Sequence, residues 1–130
     1  MIFLTKSEFI AINRLVIQRV NGKTIGIQYP QGLDIIVEQP QQVLFGQELY
    51  PSIWLKAAFI IQKITKKHIF ADGNKRTALL SGLTFLKING YELDFSEEDG
   101  ETLILSVTNS PDNEKIMLTL AEWLKAHCTK

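Results

Sequence analysis

Two long segments of this 130-residue chain have apolar residues around most of a helical circumference, and this feature limits the possible folds most. The first segment follows Pro51. The second runs from about Asn74 to Asn89, and Gly90 after it is a typical stop signal. A helix that is apolar nearly all round must be covered by other elements. The sequence therefore predicts that these two helices form the centre of a helical bundle.

The rest of the chain predicts shorter elements around this pair. The first is a helix that begins after the capping box of Thr5 and Glu8, reaches Val20 and ends before Asn21-Gly22. A second helix is predicted over 33–38 and a third over about 97–108, where Ser96 is the cap. The last helix begins at Ser110-Pro111. From Lys23 to Gly32, β-branched residues alternate with small or polar ones, which is typical of a short strand or hairpin. We expect an all-α fold of about six helices with a short β-hairpin, in a single domain over residues 1–130.

The composition is that of a globular protein and disfavours two function classes. Hydrophobic residues make up 45% of the chain and charged residues 22%, which is too apolar for intrinsic disorder. The 14 basic residues balance 14 acidic ones, so we expect no direct binding of nucleic acid. No apolar run reaches the roughly 18 residues that a membrane span needs, so we expect no membrane partner.

Two further observations favour a cytoplasmic protein. Cys128 is the single cysteine and cannot form an internal disulfide, which suits a reducing compartment. The first residues, Met-Ile-Phe-Leu-Thr, lack the basic region and the small-residue cleavage site of a secretory signal. We therefore expect the protein in the cytoplasm.

Charge is unevenly distributed along the chain. Residues 1–91 carry 11 basic and 5 acidic side chains, whereas residues 92–114 carry 8 acids and no base. We interpret the acidic stretch as a solvated face. Around the connection between the two central helices, residues 65–76 hold four Lys or Arg and one Asp. This local positive charge predicts an anionic ligand there.

The connection itself, residues 68–77, reads His-Ile-Phe-Ala-Asp-Gly-Asn-Lys-Arg-Thr. Asn74, Lys75 and Arg76 open the second central helix, where unpaired backbone N–H groups and the positive end of the helix dipole favour an anion. Because Gly73 allows the backbone to approach closely, the pattern predicts a phosphate cradle in which Arg76 binds two oxygens. Taken alone, a glycine and two basic residues are weak evidence, since they also occur on solvated helix ends.

Two other side chains of the connection have both a structural and a chemical interpretation. Asp72 could be the ion-pair partner of the neighbouring cations, or could bind Mg²⁺ together with phosphate oxygens. His68 could be structural, or could accept a proton from an incoming hydroxyl group. Phe70 is interpreted as an apolar anchor of the loop.

Residues 68–77 resemble the signature of the Fic/Doc superfamily, His-x-Phe-x-Asp/Glu-Gly/Ala-Asn-Gly/Lys-Arg, and match it at every position. Adenylyl-transferring Fic members usually have glycine where this chain has Lys75. With lysine at this position, the chain resembles the Doc (death-on-curing) branch, whose members are the toxins of toxin–antitoxin pairs. The resemblance covers most of residues 4–95. It implies a Fic/Doc-like helical bundle with a β-hairpin flap.

The resemblance also implies a role for each residue of the motif. It implies His68 as the catalytic general base and Asp72 as the ligand of Mg²⁺. The phosphate-binding residues for the co-substrate ATP are then Gly73, Asn74, Lys75 and Arg76. For the Doc branch it implies transfer of the γ-phosphate to a threonine of elongation factor Tu. A lysine in place of glycine adds bulk and a cation where an α-phosphate would otherwise lie, so we expect a different placement of the triphosphate.

Two binding surfaces are implied as well. In the family, an extended flap near the site pairs with a target segment through main-chain hydrogen bonds. Here the flap residues would be Thr24, Ile25, Gly26 and Ile27, unless this segment is an ordinary surface hairpin. The regulator is expected to be a cognate antitoxin with a disordered segment that folds on binding. A self-inhibiting helix is not expected, because Pro111 interrupts residues 108–113, the nearest match to its pattern.

Three functions remain open from the sequence. The first is a Doc-like toxin that phosphorylates a translation factor. The second is a Fic-type enzyme that transfers AMP or another nucleotidyl group to a protein hydroxyl. The third is a non-catalytic phosphate-binding interaction module. Lys75 favours the first.

Overall fold

The computed structural model describes residues 1–19 and 24–130. Its six α-helices are α1 (Lys6–Arg19), α2 (Pro30–Glu38), α3 (Ile53–Lys67), α4 (Asn74–Ile88), α5 (Glu97–Asn109) and α6 (Glu114–Ala126). A 3₁₀ turn at Gln39–Gln41 follows α2, and two antiparallel strands of two residues each, β1 (Val43–Leu44) and β2 (Gln47–Glu48), form the only sheet in this part of the chain. The predicted all-α fold with about six helices and a short hairpin is confirmed. The predictions for Val20, Asn21-Gly22 and Lys23 lie outside the described residues.

The helix α3 is the centre of the bundle. Ten of its 15 residues are buried, and it packs against α2, α4, α5 and α6. Ser52 caps its N-terminus, where the hydroxyl accepts from the backbone N–H of Leu55 at 3.0 Å. The prediction that α3 and α4 are central is confirmed, because they share the most extensive helix–helix contact. Among the described residues, no helix is both long and apolar enough to cross a membrane.

Gly82 allows α4 to approach α3 closely. A Cβ atom at Gly82 would lie 2.5 Å from both Cγ1 and Cδ1 of Ile61, which is fully buried on α3. The absence of a side chain on α4 therefore makes room for the side chain of Ile61. This contact sets the spacing of the two helices that the loop 68–73 joins.

The hairpin lies between α2 and α3. Its register pairs Val43 with Glu48 and Leu44 with Gln47, which leaves Phe45-Gly46 as a two-residue turn. Both turn residues have positive φ angles, 51° and 76°, as this kind of tight turn requires. All residues of the hairpin are exposed, so no apolar alternation marks its strands in the sequence.

Lys56 anchors the hairpin to the core. Its side chain is only 1% exposed on α3, and its ammonium group donates to Oε1 of Glu48 at 3.0 Å. The same group donates to the backbone carbonyl of Tyr50. A buried ammonium needs such partners, because an unpaired charge in the core would be strongly destabilising.

Of the short strand or hairpin predicted between Lys23 and Gly32, the described residues 24–32 show a strand-like segment and no hairpin. Within residues 24–29 the structure shows one extended segment, in which Ile27 forms an isolated antiparallel bridge with Phe70. α2 then begins at Pro30, earlier than predicted, because the fixed φ of proline suits the first turn of a helix. The strand partner of this segment is thus distant in sequence, which local alternation could not indicate.

The last helix also begins later than predicted. α6 begins at Glu114 and not at Pro111, because Asn113 is its N-cap and accepts from the N–H of Ile116 at 3.0 Å. The residues before it fasten α5 to the end of α3. Asp112 lies within salt-bridge distance of Lys63 and Lys67.

Replacing Gly82 with alanine should destabilise the protein by a net 1 to 2 kcal/mol, roughly the overpacking cost of a methyl group less the gain in helix propensity. Ile61→Val removes Cδ1, one of the two Ile61 atoms that the new methyl group would meet, and keeps Cγ1. In urea unfolding, Gly82→Ala with Ile61→Val should lose less stability than the sum of the two single variants. Strict additivity would contradict the close contact.

The ion pairs of Asp112 predict a pH-dependent stability. Partial burial raises the pKa of Asp112, but hydrogen bonds and charge from Lys63 and Lys67 outweigh it and hold the pKa below its usual value of 3.8. A carboxyl group with a lowered pKa stabilises the fold above the unfolded pKa and loses this effect as the pH falls. Asp112→Asn should therefore destabilise by about 0.5 to 1 kcal/mol at pH 7, and by less at pH 3, in urea unfolding. Asp34→Asn is the matched control, because Asp34 pairs with Lys6 at 3.1 Å on the open surface.

Candidate active site

His68 ends α3 in a left-handed backbone conformation, with φ 49° and ψ 58°. A non-glycine residue in this region costs about 1 kcal/mol or more and persists only where the surrounding structure enforces it. The side chain of His68 is exposed, whereas Ile69 and Phe70 after it are almost fully buried. The left-handed turn thus leaves the imidazole at the surface while the chain returns to the core.

Asn74 holds the loop in this shape. Its Oδ1 accepts from the backbone N–H of Phe70 at 2.9 Å, and its Nδ2 donates to the backbone oxygen of the same residue at 2.8 Å. The side chain of Asn74 is therefore engaged within the loop at both of its polar ends. The predicted contact of Asn74 with phosphate would therefore come from its backbone N–H and not from its side chain.

Gly73 connects the loop to α4 with φ 74°, a left-handed conformation that favours glycine. A Cβ atom there would lie 2.9 Å from Cδ1 of Ile17 on α1, so the loop and α1 are in close contact. The N–H of Gly73 donates to Oδ1 of Asp72 at 2.8 Å. The carboxylate of Asp72 is exposed and is held by its own loop.

The first turn of α4 offers both dipolar and charged groups to an anion. The first backbone bond of the helix runs from the N–H of Thr77 to the carbonyl of Gly73 at 2.9 Å. The N–H groups of Asn74, Lys75 and Arg76 precede this bond and have no acceptor among the residues that the structure describes. The side chains of Lys75 and Arg76 are exposed, and neither forms an ion pair within residues 1–19 and 24–130.

These groups line one cleft of about 520 Å³. His68 and Asp72 lie on it together with Gly73, Lys75 and Arg76. The structure thus brings the predicted base, the predicted metal ligand and the predicted phosphate-binding residues to a single site. Their chemical roles stay predictions.

The predicted flap residues lie beside this loop. The carbonyl of Gly26 accepts from the N–H of Ala71 at 3.0 Å, and the N–H of Gln28 donates to the carbonyl of Ile69 at 2.8 Å. In an antiparallel pair of this kind, the N–H and C=O groups of the residue between these bonds, Ile27, face away from the loop. Thr24 and Ile25 are exposed and precede the paired stretch.

In the described part of the chain, no group of three or more His, Cys, Asp or Glu could hold a metal ion. Asp72 supplies one carboxylate, and only its Oδ1 has a partner among the described residues. Magnesium commonly binds one or two carboxylates together with phosphate oxygens. The donor set therefore fits Mg²⁺ only when a nucleotide is bound as well.

Asn13 of α1 also contacts the loop, a role that the motif of residues 68–77 did not predict. It is 2% exposed, and its Nδ2 donates to the backbone oxygen of Asp72 at 3.0 Å and to Oγ1 of Thr77 at 3.1 Å. The available signal was a polar residue on the buried face of α1, between Phe9 and Val16. Such a residue is stable in a core only if it is hydrogen-bonded.

Comparisons with known proteins agree with the motif and the fold. The chain matches the model of the Fic/DOC family over residues 3–86, which include the cleft residues of α3, the loop and α4. It is 40% identical over 97 residues to "Toxin Doc" of Mycolicibacterium smegmatis, an alignment that covers 72% of this chain and 75% of that protein. It is 28% identical over 117 residues to "Protein kinase doc" of Escherichia phage P1, covering 90% and 91% of the two chains. The chain belongs to the Fic/Doc family, within its Doc branch.

Proposed function

We propose that this protein is a toxin that transfers the γ-phosphate of ATP to a Ser or Thr hydroxyl group of a translation factor similar to elongation factor Tu, and so halts translation in the cytoplasm. The observation that carries the proposal is the single cleft shared by His68, Asp72 and the basic first turn of α4. The names of the two relatives support it, since one is a toxin and the other a protein kinase.

The cleft offers a group for each requirement of phosphoryl transfer. The exposed imidazole of His68 takes the proton of the target hydroxyl as its oxygen forms a bond to the γ-phosphorus. The bond from that phosphorus to the oxygen shared with the β-phosphate breaks, and ADP leaves. The N–H groups of the first turn of α4, which have no acceptor among the described residues, bind and orient the phosphates, and Lys75 and Arg76 balance their charge.

Asp72 is the residue that would hold Mg²⁺ against the phosphates. When bound, the ion neutralises phosphate charge and orients the terminal group. Asp72 can serve this role with its Oδ2, because the Oδ1 already accepts from Gly73. Most of the rate would then come from positioning and charge neutralisation, since the protein supplies no covalent step.

The flap is proposed to hold the target segment. Its inner edge is already paired with the loop through Gly26 and Gln28. The outward-facing N–H and C=O groups of Ile27 would pair with an extended target segment on the side away from the loop. Main-chain pairing of this kind tolerates many target sequences.

The proposed regulator is a cognate antitoxin that acts from outside the chain. An apolar groove of about 260 Å³ between α1, α4 and α5 adjoins the cleft and shares Lys75 and Arg76 with it. A disordered antitoxin segment that folds in this groove would reach both cations and block phosphate binding. The groove has charges of both signs, since Arg19, Glu97 and Glu101 also lie in its lining.

The first test uses ATP labelled separately at the α- and γ-phosphates, with purified elongation factor Tu as acceptor. We expect label on the acceptor from the γ-position only, because Lys75 disfavours an α-phosphate in the anion site. Label from the α-position would instead identify a nucleotidyltransferase. No label from either position, with nucleotide binding intact, would leave a phosphate-binding module.

The second test separates chemistry from folding with variants that keep the backbone conformation of the loop. His68→Asn keeps a residue type that tolerates the left-handed conformation, and Asp72→Asn keeps the oxygen that accepts from Gly73. Both should lose about 100-fold or more in transfer rate while unfolding like the parent, since each removes one catalytic group. His127→Asn is the control, because His127 is the only other histidine and lies at the end of α6. Equal activity of all three variants would exclude the proposed roles.

A further inference from the structure

Asn13 is the one polar side chain that α1 buries against the loop, among the residues that the structure describes. It lies outside the signature, 55 residues before His68 in sequence. Its amide nitrogen makes two hydrogen bonds, one to the backbone oxygen of Asp72 and one to Oγ1 of Thr77. One side chain thus connects the loop to the first turn of α4.

The bond to Asp72 fixes a peptide unit that matters for the site. The carbonyl of the peptide between Asp72 and Gly73 accepts from Asn13 at 3.0 Å. The N–H of the same peptide donates to Oδ1 of Asp72 at 2.8 Å. Since a peptide unit is planar, holding its carbonyl also sets the direction of its N–H and therefore the orientation of the Asp72 carboxylate.

The surroundings leave this peptide little freedom. Thr77 is fully buried, and its own N–H closes the first turn of α4 on the carbonyl of Gly73. The side chains of Val16 and Ile17 press on the face of Gly73, where a Cβ would lie within 3.2 Å of both. α1 therefore contacts the loop through apolar packing and through one directed donor, and only the donor can select a peptide orientation.

We infer that Asn13 is a positioning residue that orients the Asp72 carboxylate for a magnesium–nucleotide complex. This inference rests on the proposed function for the ligand, and on the observed hydrogen bonds for the geometry. Partners that orient a metal ligand through a hydrogen bond typically change metal affinity or activity by about 10- to 100-fold when removed. Asn13 acts through Asp72 and does not itself contact substrate.

The test compares Asn13→Asp with Thr77→Val. Asn13→Asp keeps the size of the side chain and can still accept from the Thr77 hydroxyl, but it has no donor for the carbonyl of Asp72. Thr77→Val removes the other contact and leaves the bond to Asp72. At fixed ATP, Asn13→Asp should raise the half-saturating Mg²⁺ concentration for phosphoryl transfer by about tenfold, with most of the rate recovered at saturating Mg²⁺. Thr77→Val should leave that concentration nearly unchanged.

A second measurement needs neither metal nor nucleotide. In the metal-free protein, amide hydrogen exchange at Gly73 should speed up several-fold in Asn13→Asp, because the peptide loses the contact that orients its N–H. Phe9→Leu is the control for a general loss of stability, since Phe9 is buried on the same helix and makes no hydrogen bond to the loop. It should lower stability without changing the Mg²⁺ dependence.

The outcomes separate the two proposals. If Asn13→Asp has the same half-saturating Mg²⁺ concentration and the same amide exchange rate at Gly73 as the parent, the positioning role is wrong while the proposed function stands. If the parent binds no magnesium–ATP at all, the proposed function is wrong, and the exchange rate alone decides whether Asn13 orients the loop. If Thr77→Val and Phe9→Leu shift the Mg²⁺ dependence as much as Asn13→Asp, the effect is general packing and the inference is overturned.

Discussion

The structure depends on how the chain turns back between two buried helices. A loop at this position has backbone polar groups that neither helix can pair, and each would be costly to leave unpaired next to the core. Two asparagine side chains meet part of this requirement, Asn74 at Phe70 and Asn13 at Asp72. The extended segment beside the loop pairs with the backbone of Ile69 and Ala71. Because these bonds fix the loop, the imidazole of His68 and the carboxylate of Asp72 stay at the surface next to the N-terminus of α4.

The distribution of ion pairs gives the cleft its positive charge. At the end of α3, Lys63 and Lys67 both pair with the carboxylate of Asp112. The two cations at the start of α4, Lys75 and Arg76, have no such partner in the described residues. The acidic stretch is therefore only in part the solvated face that its composition indicates, since one of its carboxylates fastens α5 to α3. The protein thus has no net charge but has a cationic site.

Local patterns predicted the elements that depend on short-range physics. The apolar periodicity of the central helices, the cap at Ser96 and the stop at Gly90 agree with α3, α4 and α5 within a few residues. Elements whose residues are all exposed have no alternation of buried and exposed positions, so the same patterns could not predict them. The exposed hairpin has no apolar alternation, and it is held by the buried Lys56 of α3, a residue that lies outside the hairpin's own sequence.

The sequence by itself determined the helical class and the motif of residues 68–77, because helix periodicity and a contiguous motif are local properties of the chain. The tertiary structure alone decided which surfaces meet at that motif. It paired Ile27 with Phe70, and it placed the amide of Asn13 on the peptide after Asp72. These contacts join residues more than 40 positions apart, and their formation depends on how α1 and the extended segment pack on the central helices. No local pattern carries that information.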